Sequence, residues 1–199
     1  MRRYLITRCG LDLITRCGLA ALLLVSGAGV AVAQNTTTQE YDAELSGFFE
    51  IGPINNNTGA ILTNGRGKLN LVVEKNAAEY SLSYSGLTSN VTQAHIHFGK
   101  VHDAGGIFVF LCTNLGNGPA GTPACPPGGG TVTGTITAAS IIAVPAQNVT
   151  AGNFDVLLEA LASDTAYANV HTTNFPGGEI RGQVEVHEEE DKEGKGKSR

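Results

Sequence analysis

Hydrophobic and polar residues alternate over several short stretches of this chain. The alternation is clearest in residues 41–51, 68–74, 80–85 and 93–98, and a two-residue period is typical of a half-buried β-strand. Four further strands are predicted at residues 107–111, 131–137, 165–171 and 178–186. Turns rich in Gly, Asn and Pro separate these stretches, so the pattern predicts an all-β fold, either an antiparallel sandwich or a Greek-key barrel.

One stretch has a helical period instead. Phe154, Leu157 and Leu161 recur at the spacing of one face of a helix. Thr150 or Asn153 is a suitable N-cap residue in front of them. The sequence therefore predicts one short helix, which closes an end of the β-structure.

The two ends of the chain lack both patterns. Residues 1–33 carry four Arg, an apolar run of about 14 residues and then Ala31-Val32-Ala33, which is the order of a secretory signal peptide and its cleavage site. The alternative is an uncleaved anchor, but the run is shorter than the ~20 residues that a membrane-spanning helix needs. Residues 188–199 are dense in charge and contain no apolar side chain, which predicts a disordered tail after a single domain at 34–187.

The net charge and the predicted export indicate which partners the protein can bind. Cleavage after residue 33 removes four of the 13 basic and one of the 18 acidic residues, which leaves a net charge of −8. An acidic surface repels phosphate backbones, so nucleic acid is not expected to bind. We expect a secreted or periplasmic protein with no membrane span after signal removal, and an extracellular protein or surface ligand of unknown identity as its partner.

The mature chain keeps two cysteines, Cys112 and Cys125. In an oxidising compartment, two cysteines most simply form one disulfide. Closing a loop of this size contributes about 3 kcal/mol in the chain-entropy model. A thiol pair that binds metal is the weaker alternative, because this spacing matches no common zinc pattern.

Several segments resemble the chordin-type (CHRD) domain family. They are AELSG at residues 43–47, AHIHFG at 94–99, AYANVHT at 166–172 and PGGEIRGQ at 176–183. AHIHFG and the closing pair of AYANVHT and PGGEIRGQ, in this order and separation, make the resemblance specific, and it spans roughly residues 40–186. It implies an immunoglobulin-like β-fold in a secreted microbial member of the family. It implies little chemistry, since such domains occur in extracellular signalling regulators of animals and in microbial proteins without an assigned role.

Three histidines are the main candidates for chemistry. His95 and His97 are two residues apart on a predicted strand, so their side chains share one face. His171 lies on another predicted strand. Paired imidazoles on a rigid strand suit copper or zinc, which predicts a metal site at these three residues. Histidines that brace the sheet through hydrogen bonds are the alternative.

Glu179 and Arg181 are the second candidates, and they share a face of the last predicted strand. Because an Arg guanidinium binds carboxylates through two parallel hydrogen bonds, we expect a structural ion pair here, with Glu179 or an acid of a neighbouring strand as the partner of Arg181. The sequence contains no G-x-S-x-G and no phosphate loop, so no catalytic residue is assigned. The sequence favours a non-enzymatic binding or structural module, with a copper or zinc protein as the alternative function and redox activity left open.

Overall fold

The computed structural model of this chain describes residues 38–51 and 59–187. The predicted signal peptide at 1–33 and the predicted tail at 188–199 lie outside the described residues. The helices within the described ranges are too short or too polar for any of them to span a membrane.

The described chain forms nine strands and one α-helix, which confirms the predicted all-β fold with a single short helix. The strands are β1 (Gln39–Ser46), β2 (Arg66–Val73), β3 (Ala78–Ser85), β4 (Val91–Phe98), β5 (Gly106–Thr113), β6 (Gly130–Ile136), β7 (Ala166–Thr172), β8 (Ile180–Gln183) and β9 (Glu185–Val186). The helix is α1 (Asp155–Ala162), and short 3-10 turns occur at Gly47–Phe49, Ala138–Ser140 and Pro145–Gln147.

All strand pairs are antiparallel and belong to one sheet. The strand order is β5-β4-β7-β8-β1-β2-β3-β6, and β9 extends β8 alongside β1. The two end strands, β5 and β6, contact each other. The sheet therefore nearly closes on itself, and the barrel is the closer of the two predicted architectures.

Alternating side chains of the strands build the core. Leu45, Leu69, Leu71 and Leu82 come from three neighbouring strands, are almost completely buried and belong to the same apolar cluster. Burying one such side chain contributes about 1.5–3 kcal/mol relative to leaving it exposed. The period of two seen in the sequence is thus the period with which the strands face the core.

The first strand ends earlier than its sequence pattern predicts. It stops at Ser46, whose hydroxyl accepts a hydrogen bond from the Phe48 N–H at 3.1 Å, and a 3-10 turn follows. The Gly47 carbonyl accepts the Ile61 N–H at 2.7 Å. As a result the side chains after Gly47 no longer follow the strand period, so Phe49 is exposed and Glu50 is buried.

The helix begins at Asp155, with Phe154 rather than Thr150 or Asn153 at the N-cap position. The Phe154 side chain makes no capping hydrogen bond. It is buried in the core cluster instead. Core packing of an aromatic ring therefore sets the start of this helix, and the predicted cap residues lie in the preceding turn.

Strand β7 is buried on both faces along its whole length. One face, with Ala166, Ala168 and Val170, belongs to the apolar core. The other face carries Tyr167, Asn169 and His171, and these are also buried. A second layer that contains polar groups therefore covers the side of the sheet that faces away from the core.

A candidate metal centre of three histidines

Strands β4 and β7 bring the three predicted histidines to one place. His95 is paired with Asn169 and His97 with Tyr167, while His171 lies opposite Gln93. Because alternate residues of a strand share a face, all three imidazoles project from the side that faces away from the core. Their exposed fractions are 0% for His95, 8% for His97 and 6% for His171, so the cluster is shielded from solvent.

The three rings converge closely enough to share one ion. One ring nitrogen from each histidine lies within 4.8 Å of the other two, and His95 Nδ1 is 3.1 Å from His171 Nε2. Zinc–nitrogen bonds of 2.0–2.1 Å in a tetrahedron place two ligand nitrogens about 3.3–3.4 Å apart. The nitrogens of His95 and His171 are already near that distance. The most widely separated pair of nitrogens must approach each other by up to about 1.4 Å.

Backbone carbonyls fix the orientation of two of these rings. His97 Nδ1 donates to the Gly105 carbonyl at 2.9 Å, and His171 Nδ1 donates to the Pro176 carbonyl at 3.0 Å. A carbonyl only accepts, so each neutral ring carries its proton on Nδ1 and has an unprotonated Nε2. The Nε2 of His171 accepts from His95 Nδ1, whereas the Nε2 of His97 has no partner. Hydrogen bonds of this kind orient histidine ligands in metal sites and raise their basicity.

Two nitrogens of the cluster have no hydrogen-bond partner. They are His95 Nε2 and His97 Nε2, and with Asn169 Oδ1 they are the buried side-chain polar atoms left unpaired among the described residues. Buried polar groups in folded proteins are nearly always paired. A metal ion bound at the cluster would account for the free lone pair of His97.

Burial also keeps the cluster uncharged. It lowers the pKa of His95 to about 2 and that of His97 to about 4, with repulsion from neighbouring histidines as a further cause. Burial also lowers the pKa of His171. The rings are therefore neutral near pH 7, which is the form of imidazole that binds metal ions.

Aromatic and cationic side chains surround the cluster. The Phe110 ring meets His95 edge-on at 4.5 Å, and the Tyr167 ring stacks on His97 at 4.7 Å with an angle of 8° between their planes. The Arg181 guanidinium carbon lies 3.4 Å from the centre of the Tyr167 ring. Since His97 occupies one face of that ring, Arg181 must occupy the other, at the distance of a cation–π contact.

The expected ion pair between Glu179 and Arg181 is not formed, since these two described residues share no salt bridge or hydrogen bond. Arg181 donates to the carbonyls of Asp103 and Lys100 at 2.9 and 3.1 Å. The reason lies in the strand bounds. Glu179 precedes β8, so the alternation that would put both side chains on one face does not extend to it.

The carboxylate of Glu179 is fully buried and accepts four hydrogen bonds from three threonines. The donors are the Thr63 hydroxyl, the Thr88 N–H and hydroxyl, and the Thr172 hydroxyl, at 2.7–2.9 Å. These threonines lie before β2, after β3 and at the end of β7. Glu179 therefore joins three segments beside the histidine cluster.

Comparison with the sequence profiles of known protein families shows which family this chain belongs to. The sequence profile of the CHRD domain matches residues 41–184, which is well over half of the chain. The chain belongs to the CHRD domain family. Comparison with curated proteins and with solved structures gave no match.

The disulfide of this CHRD domain is confirmed. Cys112 on β5 is bonded to Cys125, and the bond closes the loop between them. Cys125 is further held by Asn114, whose side-chain amide bonds both its N–H and its carbonyl at 3.1 and 3.0 Å. A disulfide within the chain is consistent with an oxidising, extracellular compartment.

Two polar residues beside the cluster of the CHRD domain were not predicted as site residues from the sequence. Asn169 donates to the Glu50 carboxylate at 2.6 Å, and both side chains are buried. Burial raises the pKa of Glu50 to about 7, while hydrogen bonds from Ile51 and Asn169 act in the opposite direction. A signal existed for Asn169, since it lies two residues from His171 on the same strand face. Glu50 follows the 3-10 turn, where no periodicity predicts that its side chain is buried.

Proposed function

We propose that this chain is an exported, non-enzymatic CHRD-domain module that binds one copper or zinc ion through His95, His97 and His171. The observation that carries the proposal is the convergence of three buried, neutral imidazoles, each with a ring nitrogen within 4.8 Å of the others. Imidazole nitrogens suit both ions.

Three features support the proposal: the donor atoms of the cluster, the neutral state of its imidazoles and the expected export of the protein. The cluster offers three nitrogens and no thiolate, a donor set that favours Cu²⁺ or Zn²⁺ over Ca²⁺ and Mg²⁺, which prefer oxygen ligands. Neutral ligands bind these ions without releasing a proton above the low pKa values of His95 and His97. An exported module would bind such ions outside the cytoplasm.

Metal content tests the proposal directly. The protein is purified without a histidine tag, loaded with Cu²⁺ or Zn²⁺ and desalted, and the bound ion is measured by elemental analysis. We expect about one equivalent, and a stabilisation of about 2.7 kcal/mol when the free ion is 100-fold above its dissociation constant. Content below about a tenth of an equivalent for both ions would contradict the proposal.

A matched pair of variants assigns the ion to the cluster. His97→Gln removes a cluster ligand, whereas His102→Gln removes an exposed histidine from the loop after β4. We expect His97→Gln to lose the ion and His102→Gln to keep it. Equal metal content in the two variants would place the ion elsewhere.

A structural module without metal is the second candidate, and one contact favours it. The 3.1 Å hydrogen bond between His95 and His171 already satisfies one nitrogen of each ring. In that case His95→Gln lowers stability, and loading with either ion shifts neither the unfolding midpoint nor the metal content. The same loading experiment therefore separates the two candidates.

A further inference from the structure

A cleft of about 310 Å³ lies beside β1, β8 and β9, and none of the three clustered histidines lines it. Its volume is at the lower end of the range found for small-molecule sites. Three properties of its lining together define the chemistry of a ligand.

The first property is an apolar wall. Phe49, Val101 and Val186 line the cleft and are 56%, 51% and 46% exposed. They are three of the seven large apolar side chains that are exposed among the described residues. Exposed apolar side chains gathered at one cleft favour a ligand with an apolar group.

The second property is a buried cation whose charge has no ion-pair partner among the described residues. Arg181 lines the cleft, is 3% exposed, and donates to the two carbonyls of Asp103 and Lys100. A guanidinium has five N–H donors, so it retains capacity for a further acceptor. Buried charges are usually paired, and a carboxylate matches the planar guanidinium best.

A neighbouring acid, Glu50, does not supply that partner. Its carboxylate bonds Asn169 and the Ile51 N–H, not Arg181. Burial raises the pKa of Glu50 to about 7, so its negative charge is only partly present at neutral pH. An anion that enters from the cleft would meet an incompletely neutralised guanidinium.

The third property is a pair of carboxylates at the other end of the cleft. Asp42 and Glu185 both line it and lie directly opposite each other in the pairing of β1 with β9. Like charges at such positions destabilise a strand pair. Asp42 contacts Lys68 and His187, each at 3.3 Å, whereas Glu185 forms no salt bridge within the described ranges. A cation bound here would offset the repulsion.

The spacing of the two charged ends sets the length of the ligand. Arg181 and Glu185 are four residues apart along β8 and β9, or about 13 Å of strand. A single amino acid is too short to reach both ends, while three extended residues span about 10 Å and the protein side chains cover the rest. Terminal carboxylate and amine groups are known targets of peptide recognition.

We propose that this cleft binds a short zwitterionic peptide of about three residues. Its terminal carboxylate lies at Arg181, its terminal ammonium lies between Asp42 and Glu185, and a central apolar side chain packs against Phe49, Val101 and Val186. None of the three proposed metal ligands lines this cleft, although Arg181 contacts the Tyr167 ring that stacks on His97. Peptide binding does not require a bound ion.

Titration calorimetry with four peptides tests the proposal. They are alanyl-phenylalanyl-alanine, its C-terminal amide, its N-acetyl form and alanyl-glycyl-alanine, each titrated in a buffer with a chelator so that the peptide amine does not bind a metal ion. We expect the free phenylalanine peptide to bind most tightly and each of the others about tenfold or more weakly, because each lacks one of the three contacts.

Two variants and a control locate the binding. Glu185→Gln should weaken the free peptide about tenfold and leave the weak binding of its N-acetyl form unchanged. Val101→Ser should weaken both. Leu115→Ser, at an exposed apolar position in the disulfide loop that does not line the cleft, should weaken neither.

Three results would overturn the proposal. The first is equal affinity for the free and blocked peptides, and the second is an unchanged affinity of Glu185→Gln for the free peptide. The third is no detectable binding of the free peptide at concentrations up to about 10 mM. Because every titration is done without metal, these results leave the metal proposal untouched, and loss of metal binding leaves the peptide site untouched.

Discussion

Replacing Glu179 with Gln should destabilise this protein substantially. The carboxylate is 0% exposed. Its Oε1 accepts from the Thr63 hydroxyl and the Thr88 N–H, and its Oε2 from the hydroxyls of Thr88 and Thr172. In Glu179→Gln the amide oxygen must face the Thr88 N–H, because a backbone N–H cannot reverse its role as donor. The new amide NH₂ then faces two hydroxyls, which must rotate to accept.

The expected cost follows from those four hydrogen bonds. A hydrogen bond to a charged group contributes about 1.5–3 kcal/mol and a neutral one about 0.5–1.5 kcal/mol, so loss of the charge costs about 1 kcal/mol for each bond. Four bonds give an upper figure of about 4 kcal/mol. Release of a buried charge from its desolvation penalty reduces this figure, and we expect a loss of about 2–4 kcal/mol.

Urea unfolding at pH 7 with the disulfide intact measures this loss. The matched control is Glu79→Gln, since Glu79 is an exposed strand residue, and such surface substitutions stay within about 0.5 kcal/mol. A loss below about 1 kcal/mol in Glu179→Gln would refute the reasoning, because it would mean that the three threonines gain little from the charge.

Two further predictions concern pH and backbone space. In the metal-free protein the free energy of unfolding should fall as pH drops from 6.5 to 4, by about 1.4 kcal/mol per pH unit for each of His95 and His97, because the unfolded chain takes up the proton first. Burial lowers the pKa of His95 to about 2 and that of His97 to about 4. Glu50, with its pKa raised to about 7 by burial, is protonated first in the folded state and offsets one histidine, so a flat or rising profile in urea titrations would contradict this. Gly178→Ala should cost about 1–3 kcal/mol more than Gly152→Ala in thermal unfolding, since both glycines have positive φ but an added methyl group meets Asn169 and Glu50 at 2.6 Å only at Gly178; equal losses would show that space is not limiting there.

Much of the fold could be predicted from the sequence because β1, β2 and β3 alternate between buried and more exposed side chains. The exceptions occur at two places, the end of the first strand and the start of the helix. Gly47 bonds Ile61 through its carbonyl, and this contact with a segment 14 residues away ends the first strand where the hydrophobic pattern continues. Phe154 displaces the expected cap residues of the helix because its ring packs in the core. Long-range contacts, which no local pattern contains, decided both places.

The candidate site was predictable only in part. The spacing of His95 and His97 is enough to predict that they share one face of a strand, and the bounds of β4 agree with it. Their meeting with His171 depends on the pairing of β4 with β7, strands that are not consecutive in the chain. Glu50 enters the same layer from the turn after β1, where neither strand nor helix periodicity specifies which side chain is buried.

Two of the family segments, AHIHFG on β4 and PGGEIRGQ leading into β8, belong to one layer, because β4 and β8 lie on either side of β7. Packing explains several positions of the second segment without any ion. The Pro176 carbonyl orients His171, Gly178 leaves room for the Glu50–Asn169 pair, and Glu179 joins three threonines. Packing does not explain why His97 Nε2 is buried with a free lone pair. Packing of this layer therefore accounts for several of the family positions, while a metal function depends on the His97 nitrogen and must be measured there.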